Sequence, residues 1–87
     1  SYIGTTLFDK YSITEKIGEG SFGNVFTAFN IETKEKVAIK IEEKSKETDL
    51  LKKEYKIIKS LRHNNIPKVF LYGNNQNINS MVMELLG

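Results

Sequence analysis

The chain has 87 residues, of which 39% are hydrophobic and 28% charged, a composition typical of one small soluble domain rather than a disordered segment. Its net charge of +2 is too small to argue for nucleic-acid binding, and no apolar run approaches the ~18 residues that span a bilayer. Because the chain has no cysteine, disulfides and thiolate metal sites are excluded, and we expect an intracellular protein, in the cytoplasm or the nucleus. From the small charge and the short apolar runs we expect no nucleic-acid partner and no membrane partner.

The first half of the chain predicts three strands. Residues 1–10 have no clear period and are expected to form an N-terminal arm. Alternating residues over 11–17 predict a first strand, and residues 25–29 predict a second. The glycine-rich segment 18–23 between them indicates a hairpin loop. A dense β-branched segment over residues 36–42 predicts a third strand.

The second half predicts one helix and two further strands. Residues 43–48 are polar and charged, which indicates a loop. Hydrophobic residues then recur at three- and four-residue spacing, so we expect an amphipathic helix; its predicted apolar face contains Leu50, Leu51, Tyr55, Ile57, Ile58 and Leu61. Residues 69–72 and 81–86 predict short strands, and the asparagine-rich segment 74–79 is expected to be a loop. This order predicts an α+β fold, a five-stranded antiparallel sheet with one main helix packed on a face.

The segment Gly18-Glu19-Gly20-Ser21-Phe22-Gly23 has glycine at its first, third and sixth positions. Glycines let backbone N–H groups approach phosphate oxygens without a Cβ in the way. The same pattern opens a helix in dinucleotide-binding folds, but strand-like residues follow here, which disfavours that class. A glycine-rich hairpin without a ligand remains an alternative for the loop alone. Phe22 is expected to be exposed at the loop tip, and Ile17 and Val25 on the flanking strands could press against a flat adenine ring.

Lys40 is a charged residue in the middle of an apolar strand. Strand alternation places it on the face of Ala38, which is small enough to lie under a base. The structural alternative is a partly buried lysine whose stem reaches toward water. Glu54 lies on or beside the apolar stripe of the predicted helix, where an unpaired carboxylate is costly, so we expect it to pair with Lys40. Otherwise Glu54 is an acid at the helix rim, beside Lys52 and Lys53.

Together these motifs resemble the N-terminal lobe of eukaryotic protein kinases. The pattern G-x-G-x-x-G-x-V, the sequence V-A-I-K at residues 37–40, a helix glutamate and a closing hydrophobic strand occur in the order of that family. The resemblance covers residues 11–87, which we interpret as the ATP-binding half of a kinase domain, with residues 1–10 as an arm before it. It implies that Lys40 and Glu54 form the ion pair that positions the α- and β-phosphates of ATP.

The last strand gives a narrower resemblance. The segment Met81-Val82-Met83-Glu84-Leu85-Leu86-Gly87, together with Ile66-Pro67, is similar to the casein kinase 1 family. That resemblance implies that Met83 occupies the gatekeeper position and that backbone groups of Glu84 and Leu86 bind the edge of adenine. Core packing is the alternative for the apolar side chains of this segment.

The resemblance implies transfer of the γ-phosphate of ATP to Ser or Thr of protein substrates, with Mg²⁺ as a second cofactor. This chemistry needs the motifs H-R-D-x-x-x-x-N and D-F-G, which hold the catalytic aspartate and the metal ligands. The only aspartates in the chain, Asp9 and Asp49, lie in neither motif, and the only histidine, His63, is expected in a loop. We therefore expect no metal site here, Mg²⁺ ligands in a missing C-terminal lobe, and no activity from this chain alone.

Two other classes of protein remain open. One is a pseudokinase fragment that binds a nucleotide or a protein, although the intact glycines, Lys40 and Glu54 disfavour it. The other is an unrelated α+β interaction domain.

A missing second lobe would also leave an apolar surface uncovered, so we expect the isolated chain to self-associate through Ile17, Val25, Ala38, Met83 and Leu86.

Overall fold

The computed structural model describes residues 2–19, 23–44, 50–61, 66–75 and 77–85. Within these ranges the elements, in chain order, are β1 (Thr6–Leu7), β2 (Tyr11–Glu19), β3 (Asn24–Asn30), β4 (Lys36–Glu43), α1 (Leu50–Ser60), β5 (Val69–Asn74) and β6 (Ile78–Glu84). The strands form one antiparallel sheet in the order β1-β2-β3-β4-β6-β5. The predicted architecture, an antiparallel sheet with one helix, is confirmed. Among the described residues the sheet has six strands rather than the predicted five.

The additional strand lies in the segment interpreted as an arm. In β1, Thr6 and Leu7 pair with Ser12 and Tyr11 of β2. The connecting turn places Phe8 and Asp9 at φ angles of 57° and 55°, the two positive values of a type I′ turn. The usual sequence of such a turn is Asn-Gly or Asp-Gly, and a strand of two residues has no alternation, so the sequence pattern did not reveal this hairpin.

The loop in the asparagine-rich segment is shorter than the predicted one over residues 74–79. Asn74 ends β5, and β6 begins at Ile78, so most of the segment belongs to the sheet or to its tight connection. The Oδ1 atom of Asn75 accepts the N–H groups of Asn77 and Ile78, at 2.7 and 2.9 Å. An asparagine side chain can replace the backbone acceptor of a turn in this way, which lets the two strands connect closely.

The helix α1 buries a narrower face than its sequence predicted. Leu51 is fully buried, whereas Ile57 is 58% exposed and Leu61 lies beyond the helix end at 49% exposed. The helix packs on β5 and β6, and the ring of Tyr55 stacks on Tyr72 with centroids 4.7 Å apart. None of the helical structure in the described ranges has the length and hydropathy needed to cross a bilayer.

The main apolar core lies on one face of the sheet, and the N-terminal segment packs against it. The edge of the Tyr2 ring meets Phe26, with centroids 5.8 Å apart, and Leu7 and Leu71 also pack on the core. Burial, together with the nearby Glu43 carboxylate, raises the pKa of Tyr2 above its ordinary value. The buried residues of this core are Tyr11, Ile13, Phe26, Ala28, Val37, Ile39, Ile41, Ile78 and Val82.

Candidate functional site

The register of the central strands places the predicted ligand-binding side chains on the face opposite the main core. Val25 of β3 is opposite Lys40 of β4, and Lys40 is opposite Met81 of β6. Two residues along β4, Ala38 is opposite Met83 of β6. Directly opposed residues in an antiparallel sheet share a face, and so do alternate residues of one strand. These five residues therefore form one surface, here called the Lys40 face.

The helix α1 brings Glu54 to the Lys40 face. The Nζ atom of Lys40 donates to both carboxylate oxygens of Glu54, at 3.0 Å to Oε1 and 2.9 Å to Oε2. The two side chains are 17% and 30% exposed, so the ion pair is shielded but still reachable from solvent. A partly buried ion pair is screened less by salt than one on the open surface. The structure thus brings together the two residues that the sequence predicted to pair.

The two described glycines of the loop, Gly18 and Gly23, meet different surroundings. A Cβ built on Gly23 would lie 2.6 Å from the carbonyl oxygen of Ile41, so packing against β4 requires glycine there. Among the described residues, a Cβ built on Gly18 would meet the side chain of Val25, at an ordinary 3.7 Å. Packing against described residues therefore requires glycine at position 23 but not at position 18.

The strand that leads into the glycine loop carries an apolar and a charged group. Ile17 is 51% exposed, which makes its side chain available to a ligand. Lys16 donates to the carboxylate of Glu19, and this contact lowers the pKa of Glu19. A carboxylate repels anions, so pairing with Lys16 offsets a negative charge beside the glycine loop.

A cavity of about 460 Å³ opens at the Ala38 end of the Lys40 face. Thr27, which pairs with Ala38 across the strands, is part of its wall. From there the cavity extends toward Lys36 and Leu85, away from the Lys40–Glu54 ion pair. Its volume lies within the range of small-molecule sites, about 300–1,000 Å³. The cavity therefore adjoins the face beyond Ala38, but none of the five residues that define the face lines it.

Glu84 ends β6 with its side chain directed toward the start of β5. Its N–H donates to the carbonyl of Lys68 at 2.7 Å, and its Oε1 accepts the N–H of Lys68 at 3.4 Å. The contact that the family resemblance implies for Glu84 is a backbone contact and does not need this carboxylate. The remaining predicted site residues, Gly20, Ser21, Phe22 and Leu86, lie outside the described residues, as does His63.

Sequence reasoning missed one residue of this region, Glu42. Its side chain is 1% exposed and contacts both α1 and β6. The available indication was strand alternation, which places Glu42 on the same face as Lys40. Among the described residues, no three His, Cys, Asp or Glu side chains come together as metal ligands would.

Comparison with known proteins identifies the family. The model of the protein kinase domain matches residues 11–87. Casein kinase I homologues 2 and 3 of Schizosaccharomyces pombe are 41% and 40% identical to this chain over 78 residues, covering 88% of the chain and 18% of each relative. A probable casein kinase I homologue of Encephalitozoon cuniculi is 36% identical over 87 residues, covering 95% of the chain and 28% of the relative.

These matches confirm the resemblance to casein kinase 1. They also show that the chain spans less than a third of the length of the curated relatives it matches. Because the domain model covers nearly the whole sequence, the chain belongs to the protein kinase domain family.

Proposed function

We propose that this chain is the ATP-binding lobe of a Ser/Thr protein kinase similar to casein kinase 1. The longer protein that contains it would transfer the γ-phosphate of ATP to Ser or Thr of protein substrates. The observation that carries this proposal is the Lys40–Glu54 contact, in which one ammonium meets both carboxylate oxygens at 3.0 and 2.9 Å. Protein kinases need such an ion pair for activity, between a lysine on a strand of this lobe (here β4) and a glutamate on its helix (here α1).

The Lys40 face fits the two halves of a nucleotide. The adenine would lie between Ile17 and Val25 on one side and Met83 on the other, over the small side chain of Ala38. None of these four residues lines the cavity beyond Ala38, so the support for this placement is the shared face and not that cavity. The backbone of Glu84 and Leu86 would bind the adenine edge, as the family resemblance implies.

The phosphates would lie at the other end of the same face. Backbone N–H groups of the glycine loop, residues 18–23, would approach them, and the glycines keep Cβ atoms out of the way. Lys40, held in place by Glu54, would donate to the α- and β-phosphate oxygens. These residues bind and orient the nucleotide, which is most of what a protein must supply in phosphoryl transfer.

Mg²⁺ neutralises charge on the phosphates in this family, and its ligands belong to the motifs D-F-G and H-R-D-x-x-x-x-N. Neither motif occurs in the 87 residues. We therefore assign to this chain nucleotide binding and orientation, and we expect no phosphoryl transfer from these residues alone. A pseudokinase that only binds nucleotide is the second candidate, and the intact ion pair disfavours it.

The proposal is tested by Lys40→Met in the full-length protein. The variant removes the ammonium but keeps an unbranched side chain of similar length, so the fold should persist. We expect transfer of labelled phosphate to Ser/Thr peptides to fall by at least a hundredfold, as for loss of an electrostatic contact to the transition state. The matched control is Lys53→Met, on the exposed side of α1, which should leave turnover unchanged. Near wild-type turnover in Lys40→Met would overturn the proposal.

A further inference from the structure

Glu42 is a buried carboxylate that the proposed nucleotide site does not use directly. Its Oε2 accepts the N–H of Leu51 at 3.1 Å, and its Oε1 accepts the side-chain amide of Asn79 at 2.9 Å. Glu42 and Asn79 are 1% and 2% exposed. Burying a carboxylate is costly unless hydrogen bonds compensate, and here each oxygen has a donor. The carboxylate thus ties together β4, β6 and the first turn of α1.

The contact to Leu51 acts at the N-terminal turn of α1, which begins at Leu50. N–H groups in the first turn of a helix have no acceptor within the helix, and a negative charge there is favourable. Glu42 satisfies one of these groups from outside the helix. The helix start is therefore fixed to the sheet by a side chain of β4.

The geometry relates this tether to the ion pair. Glu42 and Lys40 are alternate residues of β4 and share a face, while Leu51 and Glu54 are nearly one turn apart on α1. Two neighbouring side chains of one strand thus hold two neighbouring turns of one helix. If the hydrogen bond between Glu42 and the Leu51 N–H is lost, the start of α1 is free to move relative to β4, and Glu54 moves with it.

We propose that Glu42 is a positioning residue for the kinase reaction: it holds α1 at the distance from β4 at which Glu54 contacts Lys40. This inference rests on the proposed function of the Lys40 face. Glu42 acts through Glu54 and touches no nucleotide. Its carboxylate suits the role because both of its partners, the Leu51 N–H and the Asn79 amide, are donors.

The test uses Glu42→Gln in the full-length kinase. Glutamine keeps the size of the side chain but removes the negative charge and replaces one acceptor oxygen by a donor. The Asn79 amide must then rotate to accept from it, and both hydrogen bonds lose their charge assistance. We expect kcat to fall about tenfold, roughly the difference between charge-assisted and neutral hydrogen bonds, with a smaller change in KM for ATP. Glu43→Gln, at the exposed neighbour on the opposite face, should retain wild-type kcat.

A swapped pair provides the rescue. In the double variant Glu42→Gln, Asn79→Asp, the new amide donates to the new carboxylate and its oxygen still accepts the Leu51 N–H. All three groups have partners, one contact is charge-assisted again, and the net charge is that of the wild type. We expect this variant to recover most of the lost kcat. Failure of a folded double variant to recover any kcat would contradict the proposed tether.

A second cycle separates positioning from simple loss of stability. If Glu42 acts through Glu54, then Glu42→Gln should reduce kcat little further in a Glu54→Gln background. Fully additive losses, or wild-type kcat in Glu42→Gln itself, would overturn the inference. If Glu42→Gln does not fold, Glu42→Asp, which withdraws the carboxylate by one methylene, replaces it in the cycle. Lys40→Met tests the proposed function separately: inactive Lys40→Met with unaffected Glu42→Gln overturns only the role of Glu42.

Discussion

Gly23 packs directly against the main chain at Ile41: a Cβ built on Gly23 would lie 2.6 Å from the Ile41 carbonyl oxygen. At the other end of the loop, a Cβ on Gly18 would touch Val25 among the described residues, at an ordinary 3.7 Å. Gly23 therefore permits the close approach of two strands, whereas packing does not require glycine at position 18, where we propose that the backbone approaches phosphate.

This contrast predicts opposite outcomes for two alanine substitutions. Gly23→Ala should lower the free energy of unfolding by about 1–3 kcal/mol, because the new methyl group must displace backbone. Gly18→Ala should change it by less than about 1 kcal/mol, since alanine is tolerated in a strand, yet it should weaken ATP binding. Urea denaturation and nucleotide titration of the two full-length variants measure both effects. Equal loss of stability in both variants would contradict the assignment.

Phe8 covers the backbone of β5 at Gly73. A Cβ on Gly73 would overlap the Cε1 atom of the Phe8 ring. We predict that Gly73→Ala displaces this ring and lowers the free energy of unfolding by about 1 kcal/mol, the cost of a disturbed apolar contact. In a Phe8→Ala background the same substitution should cost little. Thermal unfolding of the four variants of this cycle measures the coupling, and additive effects would show that the ring does not pack there.

The strands β2 to β6 and the ion pair were predictable from sequence because both leave local patterns, whereas the two-residue strand β1 does not. Lys40 interrupts an apolar strand, and Glu54 lies on an apolar stripe. Burying either charge without a partner is costly, so the sequence predicts that they pair. The role of Glu42 was not predictable in this way, because its partner Asn79 is 37 residues away and was interpreted as part of a loop. The exposure of Ile57 was missed because periodicity shows which residues share a helix face, not how much of that face the sheet covers.

The pKa of Glu19 should depend on Lys16. The contact with Lys16 lowers this pKa, and both side chains are exposed. We predict that Lys16→Met raises the pKa of Glu19 toward the ordinary value of a glutamate, measured by NMR titration of its carboxyl carbon. A lowered pKa contributes stability that is complete above the ordinary glutamate value and is lost as the pH falls through the lowered one. The same titration in high salt should show a smaller shift, because salt screens exposed charges. An unchanged Glu19 pKa in Lys16→Met would contradict the pairing.

The 87-residue chain, when produced alone, should self-associate through the Lys40 face. Ile17 is 51% exposed beside this face, and apolar patches of this kind favour association. We predict that light scattering shows a mass above that of the monomer at high concentration, and that Ile17→Glu reduces it. Ile31→Glu, at a 41% exposed isoleucine in the turn after β3, is the matched control and should not. A monomer at every concentration would refute the prediction.

The central claim is that Lys40 lies at the phosphates of a bound nucleotide, and chemical labelling tests it most directly. An ATP analogue that carries an acyl group on its terminal phosphate transfers that group to a nearby amine, forming an amide and releasing the nucleotide. Peptide mapping of the full-length protein then identifies the modified lysine. We predict modification at Lys40 that excess ATP with Mg²⁺ prevents. Modification that spares Lys40, or that ATP does not reduce, would contradict the assignment of this face as the nucleotide site.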